Sequence, residues 1–225
     1  MENKRTHYQQ LIRKCGTHGK EYKLEFPITI PAVIQNPIEL VKLGLSSTMR
    51  QSLKDIILNR GDEQNHSSNV KADMTDWFMH KKYKEFKELS IHAEAIANQM
   101  TEDHIATFTF DCWGAVYRKG EYTKKHSHWG NLWSWCYYLE VPPDAPPFRF
   151  EDTFQPKTKD VTFFDIYPEN DDILIFPSWF KHSVPKMECD GERIMIAGNI
   201  QTVRSVPWPT PIKPTSISWS LENYD

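Results

Sequence analysis

Residues 126–139 read HSHWGNLWSWCYYL. From Trp133 the run is dense in aromatic residues, which favour strands. In a strand successive side chains point to opposite faces. Ser134, Cys136 and Tyr138 therefore share one face, and Trp133, Trp135, Tyr137 and Leu139 the other, which packs elsewhere. His126 and His128 are two residues apart, so at a strand end both imidazoles can reach one metal ion. The plainer reading is a pair of solvated histidines following Lys124 and Lys125.

Outward from this stretch the chain reads as β-structure. HIATFTFDCWGAVYR (104–118) alternates over a long run, and FRFED (148–152), VTFFDIY (161–167), DDILIFPSW (171–179) and ERIMIAGNIQT (192–202) follow. Pro, Asp, Asn and Gly break the runs. Six or more short strands within about 100 residues predict a double-sheet jelly roll or a sandwich.

Before residue 104 the period is helical. Asn36 and Pro37 read as a cap and first helical position, with Leu45, Met49, Leu53, Ile56 and Ile57 at helical spacing until Gly61. Phe86, Leu89, Ala93, Ile96 and Met100 form the apolar face of a second helix, and Lys81, Lys82, Lys84 and Lys87 a solvated one. Between the helices EQNHSSNVKAD (63–73) reads as a loop, and residues 69–78 are a candidate lid. The expected organisation is one domain. Residues 1–103 form a mainly helical support, 104–202 the jelly-roll core, and 203–225 a proline-rich tail. Such a tail runs over the surface or across a neighbouring subunit, which fits a homodimer.

Composition narrows the function. The 225 residues carry a formal charge of -3, so neither nucleic acid nor an acidic membrane is indicated as partner. Lys4, Arg5, Arg13, Lys14, Lys20 and Lys23 cluster near the start and read as a solvated face. The four cysteines are scattered without C-x-x-C, which predicts a reducing, cytoplasmic setting. No apolar run approaches the length of about 20 residues that a membrane span needs.

A third histidine changes the weight of the first two. His182 follows the strand-like DDILIFPSWFK, and Arg193 comes eleven residues later, opening another strand. His-x-His, a gap of about fifty residues, a distal His and then an Arg is an order that a helical or random chain has no reason to produce. It resembles the 2-oxoglutarate- and Fe(II)-dependent oxygenase superfamily, and is most similar to its bacterial and phage His-x-His members. HSHWGNLWSWCYYL, DDILIFPSWFKHSV and RIMIAGN carry the resemblance in the family's order, over about residues 104–202.

The resemblance implies an α+β fold: a prolyl-hydroxylase-like double-stranded β-helix (jelly roll) with N-terminal helices packed on one sheet. It implies Fe(II), 2-oxoglutarate and O2 as cofactors, and hydroxylation of a small-molecule or peptide substrate with release of succinate and CO2. His126 and His182 match the iron-binding histidines, and His128 stands where most members have a carboxylate. Arg193 matches the residue that binds the far carboxylate of 2-oxoglutarate, Tyr138 its helper, and Tyr117 another active-site tyrosine. Asn199 shares the Arg193 face and is a candidate contact for co-substrate or substrate.

Imidazole suits iron, and replacing a carboxylate raises the charge of the site by one. Two rival readings stand beside the oxygenase: a cupin-like three-histidine dioxygenase without 2-oxoglutarate, and a non-catalytic jelly-roll binding module. Arg193 counts against the first, which gives it no task, unless it is an ordinary strand arginine paired with Glu192 or Asp190.

Overall fold

A computed structural model of the chain describes residues 38–60, 68–101, 106–151 and 163–202. The basic N-terminal cluster, LEFPITIPAVI, Asn36–Pro37 and the proline-rich tail lie outside them. Two antiparallel sheets face each other. The larger has the order β1 (Glu39–Lys42), β9 (Asp172–Pro177), β6 (Trp133–Glu140), β11 (Arg193–Thr202), β4 (Thr107–Tyr117), β3 (Asp73–Met74). The smaller runs β2 (Val70–Lys71), β5 (Tyr122–His126), β10 (His182–Val184), β7 (Phe148–Glu151), β8 (Phe163–Ile166). Helices α1 (Ser47–Leu58), α2 (Met79–Lys82) and α3 (Lys84–Gln99) cover the outer face of the larger sheet. This is the α+β double-stranded β-helix.

Strand periodicity sorts the core into two layers. Cys112 and Val116 of β4, Trp133, Trp135, Tyr137 and Leu139 of β6, Ile173 and Ile175 of β9, and Ile194, Ile196 and Ile200 of β11 face the helices. There they meet Leu53, Ile57, Phe86, Leu89 and Ala93. The alternate positions, among them Trp113, Tyr117, Cys136, Tyr138, Leu174, Phe176, Met195 and Ala197, fill the space between the sheets. Each fully buried Leu- or Phe-sized side chain contributes roughly 1.5–3 kcal/mol. Gly114 lets α1 approach, since a Cβ there would lie 2.5 Å from Ile57 Cγ1.

The first helix begins later than its sequence pattern predicts. Glu39–Lys42 is a strand paired with Asp172–Ile175, and the helix starts at Ser47, where the Ser46 hydroxyl caps Met49 N–H at 3.1 Å. Gly44, at φ +69, breaks the path between them, and the Asp171 carboxylate accepts from Gly44 N–H at 2.8 Å and Leu45 N–H at 3.2 Å. Local periodicity could not foresee a strand whose partner lies so far along the chain. The segment 69–78 is likewise more than a loop: β2 pairs with β5 and β3 with β4, so it stitches the two sheets together at one edge. No helix among the described residues is long and apolar enough to cross a membrane.

Candidate metal and co-substrate site

His126 ends β5 and His182 begins β10, and the two stand directly opposite each other in the antiparallel ladder. His128 lies on the loop after β5, where its backbone N–H donates to Ser178 O at 2.7 Å. One ligand atom from each imidazole lies within 4.8 Å of the others, and ring centroids are 4.4, 4.7 and 5.2 Å apart. Metal–nitrogen bonds of about 2.1 Å bridge at most about 4.2 Å, so a small inward shift of the rings brings all three within reach of one ion.

Tautomers are set by the backbone. His126 Nδ1 contacts Lys124 O at 2.7 Å and His182 Nδ1 contacts Phe180 O at 2.9 Å. A carbonyl only accepts, so each Nδ1 carries the proton and each Nε2 offers its lone pair. Burial keeps all three rings neutral. It lowers His126 below the usual histidine range, pushes His128 down to about 3 with help from neighbouring His126, and holds His182 well below the usual value. Phe148 stacks on His182 at 5.1 Å and Phe176 meets its edge at 4.9 Å, which fixes the ring. The donor set, three neutral imidazoles and no carboxylate, fits a divalent transition metal.

A second element stands on β11 and β6. Arg193 is 1% exposed and stands opposite Tyr117 across the β11–β4 ladder. One guanidinium N–H donates to Pro146 O, while Nε has no partner among the described residues. Its sequence neighbours are engaged elsewhere: Glu192 pairs with Arg118 at 2.8 Å and Asp190 with Lys119 at 3.0 Å. The buried Tyr138 hydroxyl is equally without a partner, and burial raises its pKa well above the ordinary tyrosine value. A buried cation and a buried hydroxyl, both with unused hydrogen-bonding capacity, fit a carboxylate guest.

The other expected residues fall into two groups. Tyr117 lines the cavity beside the histidines, but its hydroxyl is engaged by Thr123 Oγ1 at 2.7 Å. Asn199 is 2% exposed, and both ends of its amide are occupied by Ser134 and Asp111. Trp133 is a core residue whose Nε1–H donates to Thr101 Oγ1 at 2.8 Å, whereas Trp129, next to His128, is 76% exposed. Val70, from the expected lid, does line the cavity. Asp111, Thr123 and Ser178 drew no notice in the sequence. Asp111 was visible as a charge interrupting the apolar alternation of β4, but nothing local points to Ser178.

Residues 111–199 match the family model described as "Putative 2OG-Fe(II) oxygenase". The match spans about two fifths of the chain and includes both sheet layers of the site. A search of the curated proteins finds no match to the sequence.

Among solved structures, the fold is similar to the viral collagen prolyl hydroxylase of Paramecium bursaria Chlorella virus-1 bound to 2OG. Identity there is 16% and the TM-score 0.60, over 75% of this chain and 98% of that one. It is also similar to a Pseudomonas putida prolyl-4-hydroxylase, at 13% identity and TM-score 0.56, over 76% of this chain and 95% of the other. HygX of Streptomyces hygroscopicus, with nickel, 2-oxoglutarate and hygromycin B bound, gives 11% identity and TM-score 0.57, over 73% and 82%. The matched residues, 111–199, include all three histidines and Arg193.

Proposed function

We propose that this oxygenase binds Fe(II) through His126, His128 and His182, holds 2-oxoglutarate with Arg193 and Tyr138, and hydroxylates a peptide or small molecule, releasing succinate and CO2. The observation that carries the co-substrate assignment is Arg193, a fully buried guanidinium whose Nε has no partner among the described residues and which stands opposite Tyr117 of the cavity wall. A three-histidine dioxygenase that needs no dicarboxylic acid, or a non-catalytic module, gives this residue no task.

When bound, iron(II) and the keto acid supply the activation of O2 that couples loss of CO2 to oxidation of the substrate. The chain supplies position and environment. The Nδ1–carbonyl contacts aim Nε2 of His126 and His182 at a common point. A planar guanidinium grips a carboxylate through two parallel hydrogen bonds, and Tyr138 O–H adds a third donor. Phe148, Phe176, Trp113 and Val184 give the cavity an apolar lining.

The cavity beside the histidines measures about 30 Å³, room for about one water, so a dicarboxylic acid enters only when side chains move. Met195, two residues after Arg193 on the same face, lines the cavity and has the flexible thioether chain for this movement. Trp129, exposed beside His128, supplies an aromatic surface at the mouth for a peptide or small molecule. The free Cys112, Cys136 and Cys189 fit a reducing cytoplasmic compartment.

Succinate release from 2-oxoglutarate by the full chain, with Fe(II) and air, is the test, run without substrate and then with a panel of peptides, amino acids and small metabolites. Fe(II)-dependent succinate that disappears in His182→Ala and Arg193→Met is expected. Oxygen consumption without succinate would overturn the assignment in favour of the three-histidine dioxygenase.

A further inference from the structure

A chain of polar groups, half-buried at Asp111 and buried beyond it, runs from the larger sheet to the loop that carries His128. Asp111 Oδ1 accepts from both Asn199 N–H, at 3.0 Å, and Asn199 Nδ2–H, at 2.8 Å. With its amide nitrogen turned to the carboxylate, Asn199 presents Oδ1 to Ser134, whose hydroxyl donates at 2.7 Å. A serine has one hydroxyl proton. Ser134 spends its proton on Asn199, so the 2.9 Å contact between Ser134 Oγ and Ser178 Oγ has Ser178 as donor. Every link then points the same way, toward Asp111. Ser178 is also the residue whose carbonyl receives His128 N–H, and His182 follows four residues on. Ser134, Ser178 and Asn199 are 3%, 0% and 2% exposed, so the links are shielded from competing water.

We infer that Asp111, Asn199, Ser134 and Ser178 form a polarised positioning relay that holds His128 and His182 at the metal and lends the site some of the negative field that its missing carboxylate would give. This inference rests on the metal assignment made above. None of the four residues touches the metal position; each acts through the next. Successive hydrogen bonds polarise one another in a low-dielectric interior, and partners beyond the ligands commonly tune metal affinity 10- to 100-fold. Ser134, a middle link of the chain, also lines the cavity. Burial and the two Asn199 donors act on Asp111 in opposite directions, burial prevailing and raising its pKa.

The test measures Co(II) affinity of the full chain by chelator competition, the Co(II) visible spectrum, and the melting temperature of the metal-free protein. Asp111→Asn and Ser134→Ala are each expected to weaken Co(II) binding about tenfold and shift the spectrum. Asp111→Asn should do so without lowering the metal-free melting temperature, because it removes a desolvated charge. Thr75→Val removes a different buried hydroxyl, the acceptor of Gly114 N–H at 2.9 Å, and should lower stability while leaving Co(II) affinity unchanged. Wild-type affinity and spectrum in Asp111→Asn would overturn the relay alone. Failure of the wild-type chain to bind Co(II) would overturn the relay together with the metal assignment beneath it.

Discussion

Replacing Arg193 with Met should make the metal-free protein more stable and, at the same time, unable to hold 2-oxoglutarate. The guanidinium is 1% exposed, donates to Pro146 O, and has no partner for Nε among the described residues. Exchanging a buried ion for a well-packed apolar side chain is often neutral or stabilising by about 1–4 kcal/mol. Stranding the Pro146 carbonyl takes back about 1–3 kcal/mol unless water reaches it. The expected net gain is therefore small, about 1 kcal/mol, or roughly 2–4 °C in melting temperature for a chain of this size. Binding moves the other way. Two charge-assisted hydrogen bonds at about 1.5–3 kcal/mol each amount to a loss of about 4 kcal/mol, roughly a thousandfold in Kd. Scanning fluorimetry reads both, with Zn(II) in place of iron and with and without 2-oxoglutarate. In the wild type, ligand at a hundred times Kd should add about 2.7 kcal/mol of stability; in the variant that increment should vanish. A variant that melts lower than wild type yet keeps its response to 2-oxoglutarate would refute the reasoning and make Arg193 a structural residue.

Tyr138→Phe removes a hydroxyl that has no partner among the described residues, so metal-free stability should hold or rise, while 2-oxoglutarate affinity read by calorimetry falls by about 1 kcal/mol, near fivefold. Stability of the metal-free protein should fall as pH drops: His128 and His182 stay neutral when folded but take up protons near pH 6.5 when unfolded, so their contribution is complete above that pH and lost below it. At about 1.4 kcal/mol each, denaturant titrations at about pH 7.5 and about pH 5.5 should differ by roughly 3 kcal/mol. Gly198→Ala should cost about 1–3 kcal/mol in the same assay, because its Cβ would lie 2.7 Å from Asp111 O and from the Trp135 ring, neither of which can retreat cheaply.

Much of this molecule is legible in short-range pattern. The alternation of Trp133–Leu139 assigns each side chain of β6 to its layer, with the Trp135 and Tyr137 face under the helices and Cys136 and Tyr138 between the sheets. His126 and His182 are recognisable by their places at strand ends, and the structure sets them opposite each other. Long-range pairing is what escapes. Glu39–Lys42 has two charges in four residues and reads as helical approach, because its strand character comes from β9, about 130 residues on. The two-residue strands β2 and β3 are too short to have a period at all. Asn199 illustrates the same limit at the site. Its face follows from counting, but its partners depend on a register shift between Asn199 and Ile200, so its engagement by Asp111 and Ser134 could not be counted out from the sequence.

The central claim is that three imidazoles share one metal with open positions beside a cationic anchor for a dicarboxylic acid. Diffraction at the iron absorption edge, from crystals grown without oxygen in Fe(II) and 2-oxoglutarate, tests it most directly. The account predicts one anomalous peak about 2.1 Å from a ring nitrogen of His126, His128 and His182, with the far carboxylate of 2-oxoglutarate on Arg193. A peak away from these rings, or 2-oxoglutarate seated with Arg193 untouched, would contradict it.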